Sequence, residues 1–140
     1  MRQADTSAWS GILVYIECWQ GKVRPVGREL LAEAGRLAAK LGADVYGAAL
    51  GSGMEAIAGQ LSGCPLARLY LYETEDEYSP LHYEKIMTQC IAEVKPSIVL
   101  IGGTQEGRAL APRLAVAFES GLTADCTSLD IDDEGCLVQV

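Results

Sequence analysis

Four times in succession, a short uninterrupted apolar run is followed by a stretch whose apolar residues fall three and four apart. The first run, Ile12-Leu13-Val14-Tyr15-Ile16, has no polar alternation. A strand with one wet face alternates, so an unbroken β-branched run predicts a strand covered on both sides. Similar runs lie at 45–50, 69–72 and 97–101. Parallel strands need helical crossovers of one hand, so this order predicts a mainly parallel, doubly wound sheet between two layers of helices: a three-layer α/β/α domain.

The helical segments carry their own punctuation. Val26, Leu30, Leu31, Ala34, Leu37, Ala38 and Leu41 share one face, with Pro25 suited to the first turn and Gly42 to a left-handed cap. Ser52 and Glu55 match a capping box for a second helix that runs to about Leu61. Ser79-Pro80 opens a third, with Tyr83, Ile86, Met87, Cys90, Ile91 and Val94 on its inner face, and Lys95-Pro96 ends it. A fourth carries Gly107, Leu110, Ala111, Leu114, Ala115 and Phe118. Pro112 interrupts it, which predicts a kink or a helix that begins near Ala109. Two last strands, at 126–131 and 136–140, are expected to form a C-terminal β-hairpin across the turn residues Asp132-Asp133-Glu134-Gly135. Residues 1–10 read as a short tail, so 11–140 is taken as one domain.

Ligands of such sheets sit beyond the carboxyl ends of the strands, where the winding reverses. If the first and fourth strands are neighbours, Glu17 and Cys18 face Gly102, Gly103 and Thr104 there. Gly102-Gly103-Thr104-Gln105-Glu106-Gly107-Arg108-Ala109 is the most phosphate-like loop in the chain. A P-loop needs Lys where Arg108 stands and Ser or Thr where Ala109 stands, and Glu106 repels phosphate. The expectation is a vestigial nucleotide loop of Gly102, Gly103, Thr104, Gly107 and Arg108, whose glycines serve geometry.

Other chemistries lack their residues. Cys18, Cys64, Cys90, Cys126 and Cys136 form no C-x-x-C pair, and the lone His82 is distant from all of them in sequence, which argues against zinc and against a disulfide framework. His82, expected to be exposed at a helix start, is the sole histidine from which a catalytic triad would have to be built. The acidic stretch Glu73, Glu75, Asp76 and Glu77 lacks the spacing and glycine of a calcium loop. A net charge of -8 repels nucleic acid and anionic lipid, and the apolar runs are far too short to span a membrane. Residues 1–10 hold no signal-peptide core, so a cytoplasmic location is expected.

Three stretches together resemble the alpha subunit of electron transfer flavoproteins. They are Ile12 to Glu17, the Gly102-Gly103-Thr104 turn with Gly107-Arg108-Ala109-Leu110-Ala111-Pro112-Arg113, and Gly121-Leu122-Thr123-Ala124-Asp125-Cys126 leading to Leu129-Asp130-Ile131. The resemblance runs from about Gly11 to Val140. It implies the amino-terminal domain of that subunit, with a Rossmann-like fold of the adenine-nucleotide alpha-hydrolase type. It also implies a heterodimer with a beta subunit that takes electrons from dehydrogenases through FAD and delivers them to a quinone reductase or another acceptor. The family's main flavin-binding motif has no match here, so FAD is expected in the complete parent protein and not on this chain alone. Cys18 stands where relatives often carry histidine or another polar residue. By the same resemblance the chain is a structural, partner-binding module without catalytic activity, and it should self-associate when isolated. The competing reading is a nucleotide-binding regulator of the universal-stress type, which would use the loop after the fourth strand.

Overall fold

The computed structural model describes residues 11–61, 63–64, 66–74, 79–96, 98–102, 104–117, 122–123 and 137–139. The tail 1–10 lies outside them. Six strands form one sheet in the order β5-β4-β1-β6-β8-β7: β1 (Ile12–Ile16), β4 (Val45–Gly51), β5 (Arg68–Glu73), β6 (Ile98–Ile101), β7 (Leu122–Thr123) and β8 (Leu137–Gln139). Every pairing in it is parallel. The helices are α1 (Pro25–Leu41), α2 (Met54–Gln60), α3 (Pro80–Val94) and α4 (Gln105–Ala117).

Strand β1 lies between β4 and β6, in register Ile12↔Val45 on one side and Ile12↔Ile98 on the other. All five of its side chains are buried. Ile12, Val14 and Ile16 pack in one core with Leu30, Ala34 and Leu37 of α1 and Ile57 of α2. Leu13 and Tyr15 enter the other, with Tyr83, Met87 and Ile91 of α3 and Leu110 and Leu114 of α4. The alternation of strand side chains thus divides one apolar run between two helical layers.

Helix α1 begins at Pro25 and ends with Gly42 in the left-handed conformation (φ 65°), whose N–H bonds the Ala38 carbonyl. Helix α3 likewise starts at Pro80 and ends on Lys95 at φ 55°. Two expectations change. Helix α2 has no capping box: its N-cap is Gly53, and no side chain of the cap residue bonds the helix. Of the two outcomes expected at Pro112, a kink or a start near Ala109, the late start is not found: helix α4 starts at Gln105 and carries Pro112 inside it on an exposed position. The Arg108 carbonyl that the proline leaves without a helical donor belongs to an exposed residue, so water can satisfy it. Between β1 and α1 there is also a small hairpin that the apolar pattern does not announce: β2 (Cys18–Trp19) pairs antiparallel with β3 (Lys22–Val23). Its two turn residues, Gln20 (φ 48°) and Gly21 (φ 76°), both have positive φ, as a tight right-twisted hairpin requires.

At the C-terminus the expected first hairpin arm, 126–131, lies outside the described residues. The second is found as β8, but both its edges are taken by parallel neighbours, Val99↔Leu137 from β6 and Leu122↔Leu137 from β7. Strand β7 falls in a segment rich in small polar residues, where no strand was expected.

Candidate functional site

Successive strands run outward from β1 to β4 and β5, then return to the other side of β1 as β6. The winding therefore reverses between β1 and β6, and their carboxyl ends open the crevice where this class of sheet binds ligands. Glu17 follows β1 and Gly102 follows β6.

Helix α4 starts just past Gly102. Thr104 serves as its capping residue: the hydroxyl accepts the Gly107 N–H at 3.1 Å, and the Thr104 carbonyl accepts the Arg108 N–H at 2.8 Å. The same hydroxyl approaches both oxygens of Glu17, at 2.7 and 2.8 Å, and donates its proton there. Glu17 is only 1% exposed. Nearby, the Tyr15 hydroxyl donates to Oε2 of half-buried Glu106 at 2.6 Å. The crevice thus holds two of the protein's own carboxylates, each bonded to a neutral hydroxyl.

Burial raises the pKa of Glu17, opposed by the Thr104 hydrogen bond and the charge of Arg24. Burial also raises Glu106. Its bond to Tyr15 and the charge of Arg24 work against this, while Glu17 adds to it. The Tyr15 phenol is held above its ordinary value by burial and then by Glu106. Burial, with the charges of Glu106 and Glu17, pushes the Cys18 thiol up to about 12, which leaves no thiolate at neutral pH. Its Sγ donates to the Ile16 carbonyl at 3.4 Å. Among the described residues of the crevice, none activates a nucleophile.

The two described glycines of the loop meet close neighbours. A Cβ on Gly107 would fall 1.9 Å from the Gly102 carbonyl oxygen, a distance no side chain tolerates. One on Gly102 would fall 2.7 Å from Cγ2 of Val26 and 2.9 Å from Oε2 of Glu17. Gly107 therefore brings helix and loop into contact, and the space over Gly102 is filled by Val26 and Glu17. Arg108 is exposed on α4, and Gly103 lies outside the described residues. Of the five loop residues singled out in the sequence, the structure brings Gly102, Thr104 and Gly107 together around Glu17. Sequence reasoning placed Glu17 at the crevice but missed its bond to Thr104 and the pair Tyr15–Glu106. One signal was present: position 17 keeps the phase of Leu13 and Tyr15, so a glutamate there inherits a buried register.

Residues 12–140 match the family model described as the electron transfer flavoprotein domain. The chain belongs to the electron transfer flavoprotein family. It is 36% identical over 132 residues to the electron transfer flavoprotein subunit alpha of Megasphaera elsdenii, covering 93% of this chain and 39% of that protein. It is 36% identical over 138 residues to the lactate dehydrogenase (NAD(+),ferredoxin) subunit LctC of Acetobacterium woodii, covering 97% of this chain and 33% of that subunit. It is 37% identical over 139 residues to the protein FixB of Rhizobium meliloti, covering 92% and 38%. The chain therefore spans between a third and two fifths of the length of these electron transfer flavoprotein relatives.

The FAD that the family name implies carries a pyrophosphate, which calls for free N–H donors or cations. At the glycine turn before α4, the cap hydroxyl is already bonded to Glu17, the bare face of Gly102 is covered, and Glu106 stands in the first turn. These residues do not fit a flavin pyrophosphate. Among the described residues no group of three or more His, Cys, Asp or Glu could hold a metal, and no helix is long and apolar enough to cross a membrane.

Proposed function

We propose that this chain is the amino-terminal domain of an electron transfer flavoprotein alpha subunit, formed by residues 11–140 behind a short tail, and that it is a structural, beta-subunit-binding module without catalytic activity of its own. The observation that carries this reading is one of proportion: the family match covers residues 12–140, while the chain spans 39% of a relative named as the alpha subunit. In the parent protein, FAD is held mainly by the part beyond this domain. The assembled cytoplasmic carrier takes electrons from dehydrogenases and passes them to a quinone reductase or another acceptor. The loop before α4 is a relic of a nucleotide site, and its carboxylates weigh against the regulator reading. Trp19, 52% exposed on the β2–β3 hairpin, and Leu81, 67% exposed in the first turn of α3, supply apolar surface for a partner or, in its absence, for self-association.

Co-expression with the beta subunit from the same organism tests this. The expected result is a stable complex on size exclusion and, for the isolated chain, no visible flavin absorbance after desalting. Failure to form the complex, or a flavin band that stays with the isolated chain, overturns the reading.

A further inference from the structure

The crevice between β1 and β6 retains much of what a phosphate site is built from. It lies at the winding reversal, a 13-residue helix points its N-terminus into it, and a hydroxyl-bearing residue caps that helix behind a glycine with no Cβ. We propose that Glu17, lying beside Val26 over the glycine, is the charged residue that closes this crevice to phosphate groups, with Glu106 as a second barrier, so that exclusion of anions here is decided by two carboxylates.

Three observations support the assignment. First, Glu17 shares the volume over Gly102 with Val26. Its Oε2 sits 2.9 Å from the position a Gly102 Cβ would take, over the glycine face where a phosphate oxygen would approach the backbone. Second, it uses the donor. The Thr104 hydroxyl has one proton, and that proton points to the Glu17 carboxylate while the oxygen accepts the Gly107 N–H. Third, the local field opposes anions: the charge of Glu17 raises the pKa of Glu106, and a phosphate placed beside the two carboxylates would meet the same repulsion. Arg24, an exposed residue, is a cation that acts on both carboxylates. The inference stands apart from the proposed role in an electron carrier. It concerns only what the crevice rejects.

Calorimetry with inorganic phosphate, AMP and adenosine on the wild-type chain, Glu17→Gln, Glu17→Ser and Glu17→Ser/Glu106→Gln tests it. The wild type and Glu17→Gln should show no saturable phosphate heat, since the amide keeps the shape of the plug. The double variant should bind inorganic phosphate and AMP at about millimolar affinity, at least about tenfold tighter than wild type, with Glu17→Ser between them. If the double variant is too unstable to titrate, its melting temperature in potassium phosphate against potassium chloride at matched ionic strength is read instead, and phosphate should raise it selectively. Saturable binding to wild type or to Glu17→Gln overturns the proposal. So does a double variant that responds to neither phosphate nor AMP, or one that responds equally to adenosine, since the crevice would then be reading the base.

Discussion

Helices α2 and α4 both begin at a glycine-containing turn after a parallel strand, and each has a glutamate from a neighbouring strand end at its start. At α2, Glu73 from the end of β5 accepts directly from the N–H groups of Gly53 (3.1 Å) and Met54 (3.2 Å), and it is exposed. At α4, Glu17 is buried and, among the described residues, reaches the helix through the Thr104 hydroxyl. Both carboxylates sit at the positive end of a helix dipole, where negative charge is favoured. In water and in direct contact with two orphan N–H groups, Glu73 acts as a cap supplied from outside the helix. Out of water and one hydroxyl removed, Glu17 meets a desolvation cost that the neutral Thr104 hydroxyl does not cancel. The lesson is that a glutamate at a helix start stabilises it according to what it touches and how wet it is, more than by its charge alone.

On this comparison α2 depends on its carboxylate, while α4 depends on its packed face and its hydroxyl cap. The largest expected effect is therefore in the face of α4. Leu114 is fully buried against Leu110 and the sheet, so Leu114→Ala should cost about 2–5 kcal/mol in urea melts. A loss below about 1 kcal/mol would show that the face contributes little and would undo the contrast.

Thr104→Val comes next. It removes the cap of α4 and also leaves a buried carboxylate without its donor, for an expected loss of about 1–3 kcal/mol. Equal stability of Thr104→Val and Thr104→Ser would mean the hydroxyl is dispensable at this turn.

Glu73→Ala should cost less, about 0.5–1 kcal/mol, because water replaces an exposed acceptor. The loss should be local, with faster amide exchange at Gly53 and Met54 and unchanged protection in β1. Unchanged exchange at these two amides would remove Glu73 as the cap.

The smallest effect should be a slope with pH. Because the folded pKa of Glu17 is raised, the folded state holds a proton that the unfolded chain releases; that stability is present in acid and is lost as pH rises through the folded value. Glu17→Gln, which cannot titrate, should therefore gain on the wild type as pH rises above the ordinary glutamate value. Glu106 contributes with the same sign in both proteins. Parallel pH profiles for the two chains would place Glu17 in contact with more water than its burial implies.

Much of the fold was legible in the chain itself because its signals are local. An apolar run without alternation made β1 a strand covered on both faces, and Pro25 and Gly42 bounded α1 by their own backbone restrictions. The recurring order of strand and helix implied a parallel sheet through the handedness of crossovers, and three motif stretches placed the chain in its family. What the tertiary structure alone decided are the meetings of distant residues. Glu17 and Thr104 are 87 positions apart, Tyr15 and Glu106 are 91 apart, and the cap of α2 comes from a strand 19 and 20 positions later. The insertion of β8 between β6 and β7 is of the same kind. Periodicity tells which face of an element is apolar but is silent on which strand lies beside which. A polar side chain at a strand end acquires its donor, its burial and its effect on charge only once strand order has set its neighbour.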